Sequence, residues 1–162
     1  MTLKTEQEAF WAGDFGTEYI QSNQGDALLA SNLDFFGKAL RQARGIQSCI
    51  EFGANIGMNL KALKLLHPGI DAHAIEINAE AAKQLGTVIP PANVHNSSIL
   101  DFTPARHWDL TLIKRVLIHI NPEVLRWARG RMGLDIGAAA IAAGVKPEQL
   151  ERWETGDDLP TF

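Results

Sequence analysis

Residues 49–60 read CIEFGANIGMNL, a short apolar run followed by a turn with two glycines and then by a helical pattern. Gly53 and Gly57 are four residues apart. Because glycine has no Cβ and tolerates positive φ, a turn built on glycines lets the backbone approach a ligand closely. The nucleotide-binding fingerprint has a third glycine between these two, where this sequence has Asn55. The pattern predicts either a ligand-binding βα turn or a tight turn that binds nothing.

Helical and strand-like patterns alternate on both sides of this turn. Helices are predicted at 3–12, 26–43, 58–66 and 79–85, and strands at 48–52, 70–77, 93–97 and 108–113. Strands separated by helices predict a parallel sheet with right-handed crossovers, which is an α/β fold. Beyond Pro122 only helices are predicted, at 122–132, 136–143 and 147–155. We therefore predict an α/β domain over residues 1–121 and a helical segment over residues 122–162.

The composition is that of a soluble globular protein. Of the 162 residues, 46% are hydrophobic and 21% are charged, the usual mixture for a chain with a packed core. No apolar stretch approaches the length of a membrane span, and the N-terminus has no signal-peptide core. The single cysteine, Cys49, has no disulfide partner, so we expect a cytoplasmic protein without a membrane partner. The net charge of −4 does not favour general attraction to nucleic acid.

Two acidic residues accompany the glycine turn. Glu76 ends the second predicted strand, 23 positions beyond Gly53, where a carboxylate can accept hydrogen bonds from the two hydroxyls of a ribose. Glu51 lies near the end of the first strand, where it suits a cationic ligand such as the sulfonium and ammonium of S-adenosylmethionine. The alternative for Glu51 is an anion at a helix N-terminus that only accepts backbone hydrogen bonds.

Four segments carry a resemblance to a known family. They read TEQEAFWAGDFGTEYI at 5–20, EFGANIGMNL at 51–60, IEIN at 75–78 and VLIHINP at 116–122. Together they resemble the pseudaminic acid biosynthesis-associated methylases, which are class I S-adenosylmethionine-dependent methyltransferases, over about residues 3–122. The resemblance implies that Gly53, Asn55 and Gly57 border the methionine part of the cofactor. It also implies that Glu76 holds the ribose and that Ser98, within residues 97–101, lies beside the adenine.

The same resemblance implies that the fold is incomplete. A complete sheet of this class has seven strands in the order 3-2-1-4-5-7-6, whereas four strands are predicted here. We therefore expect a truncated Rossmann-like sheet, with the apolar strand at 108–113 on an edge that the C-terminal helices or a second copy of the chain would cover. Methyl transfer to a small, sugar-derived acceptor would then be weak or absent. His119 is the catalytic candidate, and its alternative is a structural histidine before Pro122.

The C-terminal residues resemble a different family. The pattern of residues 122–162 is similar to the Cro/C1-type helix-turn-helix, shortened to three helices. This segment carries five basic and seven acidic residues, a net charge of −2, which is the wrong sign for phosphate contacts. We expect weak DNA binding at most. A DNA-binding regulator that carries a methyltransferase remnant is the alternative function, and no metal site is predicted.

Overall fold

The computed structural model describes residues 3–114, 116 and 122–158. Two compact units divide the chain, residues 1–114 and residues 115–162. The first unit contains, in chain order, α1 (Glu6–Ala12), α2 (Asp14–Ser22), α3 (Asp26–Ala39), β1 (Ser48–Phe52), α4 (Met58–Leu66), β2 (Asp71–Ile75), α5 (Ala79–Leu85), a 3-10 turn (Pro91–Asn93), β3 (Val94–His95) and β4 (Leu110–Ile113). The second contains α6 (Pro122–Arg131), α7 (Ile136–Ala143) and α8 (Pro147–Thr155).

The four strands form one parallel sheet in the order β3-β2-β1-β4. Phe52 at the end of β1 is in register with Ile75 of β2 on one side and with Ile113 of β4 on the other. The carboxyl ends of the three longer strands therefore meet at one edge of the sheet. Ligands of open α/β sheets bind at this edge, where the strand order reverses. The predicted parallel α/β sheet of four strands is confirmed.

One face of the sheet is covered by helices. Side chains of a strand alternate between the two faces, and Cys49, Ala72 and Ala74 point to the face that packs against α3 and α4. The core on this side also contains Phe36 and residues of α4 and α5; its fully buried members include Leu60, Ala62, Leu63 and Leu85. The other face carries the alternate residues of the same strands.

Two short helices precede the sheet, and only the first was predicted. Helix α1 begins with a reciprocal capping box, in which Thr5 Oγ1 accepts from the Glu8 backbone N–H and the Glu8 carboxylate accepts from the Thr5 N–H. Helix α2 follows one residue later and packs closely on α1: a Cβ at Gly16 would lie 1.9 Å from the Trp11 carbonyl oxygen. The two helices form a tight hairpin, which we call the N-terminal hairpin (residues 6–22).

The second unit has its own small core. Ala140, Leu150 and Trp153 are buried there, and Arg129 forms a two-pronged ion pair with the buried Glu154 carboxylate at 2.7 and 2.9 Å. Asp135 caps α7 and Gly144 ends it. Met132, which follows α6 directly, is 73% exposed and lies outside this core.

All three C-terminal helices lie where they are predicted, but their assignment to a helix-turn-helix stays a prediction. The predicted domain boundary between residues 121 and 122 also stays a prediction, because residue 121 lies outside the described residues. No helix within the described ranges is long and apolar enough to cross a membrane.

Candidate functional site

The turn between β1 and α4 holds three residues in the left-handed region of φ. Gly53, Asn55 and Gly57 have φ of 69°, 49° and 81°. At Gly57 a Cβ would lie 2.5 Å from Leu85 Cδ1, so the buried Leu85 side chain would have to shift to accommodate it. The turn is therefore a compact loop at the carboxyl end of β1.

Glu76 holds this turn against the next βα unit. Its Oε2 accepts the Asn55 backbone N–H at 2.7 Å and its Oε1 accepts the Asn78 N–H at 2.8 Å. The carboxyl group is 7% exposed, and burial raises its pKa above the usual range. The Ile77 backbone N–H also bonds to this carboxylate. A carboxylate offers about four acceptor sites, so the three backbone bonds leave part of its acceptor capacity free.

Glu51 lies deeper, at the carboxyl end of β1. Its Oε1 accepts from Asn59 Nδ2 at 2.5 Å, and Asn59 Oδ1 in turn accepts from Lys114 Nζ at 3.2 Å. Lys114 follows β4 directly and also donates to Asn32 Oδ1 at 2.9 Å. Burial raises the pKa of Glu51 to about 8, while the bond from Asn59 and the charge of Lys114 oppose that rise.

Two buried acceptor atoms at this place have no hydrogen-bond donor in the described part of the chain. They are Glu51 Oε2 and Asn55 Oδ1. A buried polar atom without a partner is costly, and two acceptors of this kind at the carboxyl end of one strand fit a ligand that brings donors, above all a cationic one. Within the described residues, no group of three or more His, Cys, Asp and Glu side chains is placed to hold a metal ion.

The N-terminal hairpin is fastened to the same region. Asn78 Nδ2 points to the turn between α1 and α2, within 3.1–3.4 Å of the carbonyl oxygens of residues 11–13 and of Thr17 Oγ1. Asn78 Oδ1 meanwhile caps α5 by accepting two backbone N–H groups. The hairpin therefore contacts the residue two positions after Glu76.

Ser98 takes part in a second attachment of the hairpin. Its hydroxyl, which is 1% exposed, donates to the Glu8 carboxylate and accepts the Leu100 N–H at 3.0 Å. Burial raises the pKa of Glu8, but the bonds from the Ser98 hydroxyl and from the Lys4 and Thr5 backbone N–H groups outweigh it and hold that pKa below its usual range. The place of Ser98 beside an adenine stays a prediction, and the hydroxyl itself is already engaged.

The remaining predicted residues have different outcomes. The structure brings five of the predicted residues together at the turn: Glu51, Gly53, Asn55, Gly57 and Glu76. Their contacts with a cofactor stay predictions. His119 lies outside the described residues. Lys114, Asn59 and Asn32 were missed, because amides and a lysine carry no spacing signature. For Lys114 the sequence offered one signal, which is its position directly after the apolar strand LTLI at 110–113.

With this geometry described, the fold can be compared with known structures. The plantazolicin methyltransferase BpumL in complex with SAH matches with a TM-score of 0.55 at 20% identity, covering 74% of this chain and 50% of that one. A sugar N-methyltransferase from Streptoalloteichus matches with a TM-score of 0.55 at 17% identity, covering 85% and 55%. DesVI from Streptomyces venezuelae matches with a TM-score of 0.51 at 15% identity, covering 70% and 49%.

These similarities show a Rossmann-like methyltransferase fold. This chain spans about half the length of those three structures. No protein-family model matches the sequence, and no curated protein matches it. The narrower resemblance to pseudaminic acid-associated methylases therefore stays a prediction, and none of the matches supports DNA binding.

Proposed function

We propose that the first unit binds S-adenosylmethionine and that this chain is a methyltransferase-like protein with slow methyl transfer to a small acceptor. The observation that carries the proposal is the pair of buried, unpartnered acceptors, Glu51 Oε2 and Asn55 Oδ1, beside the glycine turn. S-Adenosylmethionine carries an ammonium and a sulfonium, and both are cationic. An ionised Glu51 in a site of low dielectric would attract them strongly.

The other groups at this edge complete the fit. The turn at residues 53–57 would lie against the methionine part, where the absence of a side chain at the two glycines allows close approach. Glu76 would accept from the ribose hydroxyls with the lone pairs that its backbone bonds leave. When bound, the cofactor supplies an electrophilic methyl group, which a nucleophilic acceptor takes as the bond to sulfur breaks.

Slow turnover is the second part of the proposal. Methyl transfer depends mainly on alignment, which supplies roughly 7–11 kcal/mol in well-oriented reactions. The chain spans about half the length of its structural neighbours, and the weak transfer expected from the sequence stays a proposal. One neighbour is described as a sugar N-methyltransferase, and small amino sugars are accordingly the first acceptors to test.

Calorimetric titration with S-adenosylmethionine and with S-adenosylhomocysteine (SAH) tests cofactor binding. We expect both to bind weakly, in the micromolar range or above. Above pH 8, where Glu51 is ionised, replacing Glu51 by Gln should weaken both, since the amide keeps the shape of the side chain and removes the charge. Absence of heat from either ligand at millimolar concentration would refute the proposal.

A separate assay tests transfer. The chain would be incubated with methyl-labelled S-adenosylmethionine and a panel of small amines and amino sugars, and labelled products counted. We expect binding without efficient turnover. Rapid methylation of any acceptor would show that the acceptor side is functional in this chain and that the slow-transfer part of the proposal is wrong.

A further inference from the structure

The N-terminal hairpin carries an exposed group of aromatic rings. Phe10 of α1 and Phe15 of α2 are 47% and 43% exposed, and Tyr19 is half-buried beside them. The ring centroids of Phe10 and Phe15 are 4.2 Å apart, and those of Phe15 and Tyr19 are 6.1 Å apart. Trp11 contacts all three rings at interplanar angles of 78–89°. The rings therefore form one continuous patch, and exposed apolar patches mark interaction surfaces.

The patch is held in place by the opposite side of the hairpin. The buried residues of the two helices are Glu8, Gly16 and Ile20. Glu8 bonds to Ser98, and the turn between the helices contacts Asn78. A surface that is already ordered loses little conformational entropy when a partner binds to it.

Charge is strongly segregated in this part of the chain. Residues 5–37 contain six Asp and Glu residues and no Lys, Arg or His. The rest of the chain has 13 acidic and 15 basic residues. The net charge of −4 therefore originates in the N-terminal helices. A surface of one sign attracts partners of the opposite sign and repels those of its own.

Three exposed carboxylates accompany the rings. Glu6 lies four residues before Phe10 on α1, and Glu18 lies three residues after Phe15 on α2, which are spacings at which helical side chains are neighbours. Asp14 begins α2. Within the described ranges none of these carboxylates forms an ion pair. A carboxylate in the first turn stabilises a helix, which accounts for Glu6 and Asp14 but not for Glu18.

From these observations we propose that the hairpin docks an extended, arginine-bearing segment of a partner protein. The docking residues, which we call the hairpin surface, are Phe10, Phe15, Tyr19, Glu6, Asp14 and Glu18. Arginine matches both features of this surface, because its aliphatic stem covers apolar rings while its guanidinium group pairs with carboxylates. Nucleic acid and anionic membranes would be repelled by the same carboxylates.

The spacing of the rings fits an extended segment. Alternate residues of an extended chain lie about 6.6 Å apart, which is close to the 6.1 Å between the Phe15 and Tyr19 rings. Two arginines separated by one residue would therefore reach neighbouring rings. Each exposed ion pair contributes little by itself, so several arginines are needed and the affinity should be micromolar. The proposal does not rest on cofactor binding, because Glu51 and Glu76 lie outside the hairpin.

Fluorescence anisotropy of the full chain tests the hairpin surface. The probe is a short labelled peptide in which arginine and glycine alternate, and we expect saturable binding. The same peptide with citrulline, an uncharged analogue, in place of arginine should not bind. Phe15→Ala should weaken binding about fivefold or more, and Glu18→Gln should weaken it about threefold.

The chain offers a matched control for each variant. Phe35→Ala changes a phenylalanine of α3 that is 51% exposed, and Glu80→Gln changes an exposed position of α5. Both should leave the affinity unchanged. Added salt should reduce the effect of Glu18→Gln and preserve that of Phe15→Ala. Glu18 is exposed, so Glu18→Gln against Glu80→Gln decides the question if Phe15→Ala does not fold.

Three outcomes would overturn the proposal. The first is the absence of binding at millimolar peptide. The second is equal affinity in each variant and its control, which would indicate general attraction to an acidic protein. The third is displacement of the peptide by SAH, since the peptide would then occupy the proposed cofactor site. Peptide binding that persists in saturating SAH supports a separate surface.

Discussion

The Glu51 carboxylate and the Lys114 ammonium are joined through a single side chain, the amide of Asn59. The amide donates to Glu51 Oε1 at 2.5 Å and accepts from Lys114 Nζ at 3.2 Å. Because β1 and β4 are neighbours in the sheet, a residue that follows β4 sets the electrostatic environment of one at the end of β1. Lys114 thus acts on the proposed cofactor site as a positioning residue.

Replacing Lys114 by Met should shift the pH dependence of SAH binding. The positive charge of Lys114 lowers the pKa of Glu51 against the effect of burial, so its removal raises that pKa above about 8. Calorimetric titrations between pH 6 and 9.5 should show the rise in affinity displaced to higher pH. The variant Lys61→Met, which changes an exposed lysine of α4, is the control. An unchanged profile in Lys114→Met would contradict the assigned role.

The stability of Glu51→Gln relative to the parent protein should depend on pH. Burial raises the pKa of Glu51 from 4.5 to about 8, so the folded state retains a proton in this range that the unfolded chain releases. This stabilisation is fully present below pH 4.5 and is lost as pH rises towards 8.

The Gln variant has no such loss, because it does not titrate. Its free energy of unfolding, relative to that of the parent protein, should therefore increase with pH by up to roughly 1.4 kcal/mol per pH unit between pH 4.5 and about 8, and then level off. Urea unfolding at several pH values measures this, and a difference that does not vary with pH would show that Glu51 is ionised throughout.

Glu76→Ala should weaken SAH binding by about 1–3 kcal/mol, the range for hydrogen bonds to a charged group. The same change frees the Asn55 N–H from its 2.7 Å bond, so a loss of stability should accompany it. Glu80→Ala, at an exposed position of α5, provides the comparison. Equal affinity in the two variants would remove Glu76 from the site.

Asn78→Asp should detach the N-terminal hairpin while preserving the cap of α5. The remaining carboxylate oxygen can still accept the Glu80 and Ala81 N–H groups, but the second oxygen would face the carbonyls that Nδ2 contacts. Such a contact is repulsive and costs about 1–3 kcal/mol or more. Hydrogen exchange should become faster in α1 and α2 and stay unchanged in α4. Uniform acceleration across both regions would instead indicate global destabilisation.

DNA binding by the C-terminal segment should be weak and nearly independent of salt. Its net charge of −2, from five basic and seven acidic residues, leaves little counterion release to drive association. Fluorescence anisotropy with random and palindromic duplexes at two ionic strengths measures this. Submicromolar binding that falls steeply with salt and disappears in Arg152→Ala would establish the alternative function.

The parallel sheet was predictable because each of its elements carries a local signal. The strand at 48–52 is a short, mostly apolar run, and the helix at 58–66 begins after a glycine. Helix α2 was missed because Gly13 and Gly16 lie near its start, which lowers helix propensity. Gly16 is there for the close contact with Trp11, a tertiary reason that local pattern does not reveal.

The candidate site was predictable only in its acidic residues and glycines. Glu51 and Glu76 are found by their distance from the turn. The Asn59 and Lys114 contacts depend on strand order, since β4 lies next to β1 although more than fifty residues separate them in the sequence.

The buried cysteine gives this protein a built-in reporter. Cys49 is fully buried in β1, and burial together with the charge of Glu51 raises the pKa of its thiol to about 12. Alkylating reagents attack the thiolate, so they reach this sulfur only when the sheet opens. Since the chain has one cysteine, the rate of its modification counts those openings directly. A ligand bound at the adjoining turn should therefore slow the alkylation of Cys49, which can be measured without attaching a dye or tag to the protein.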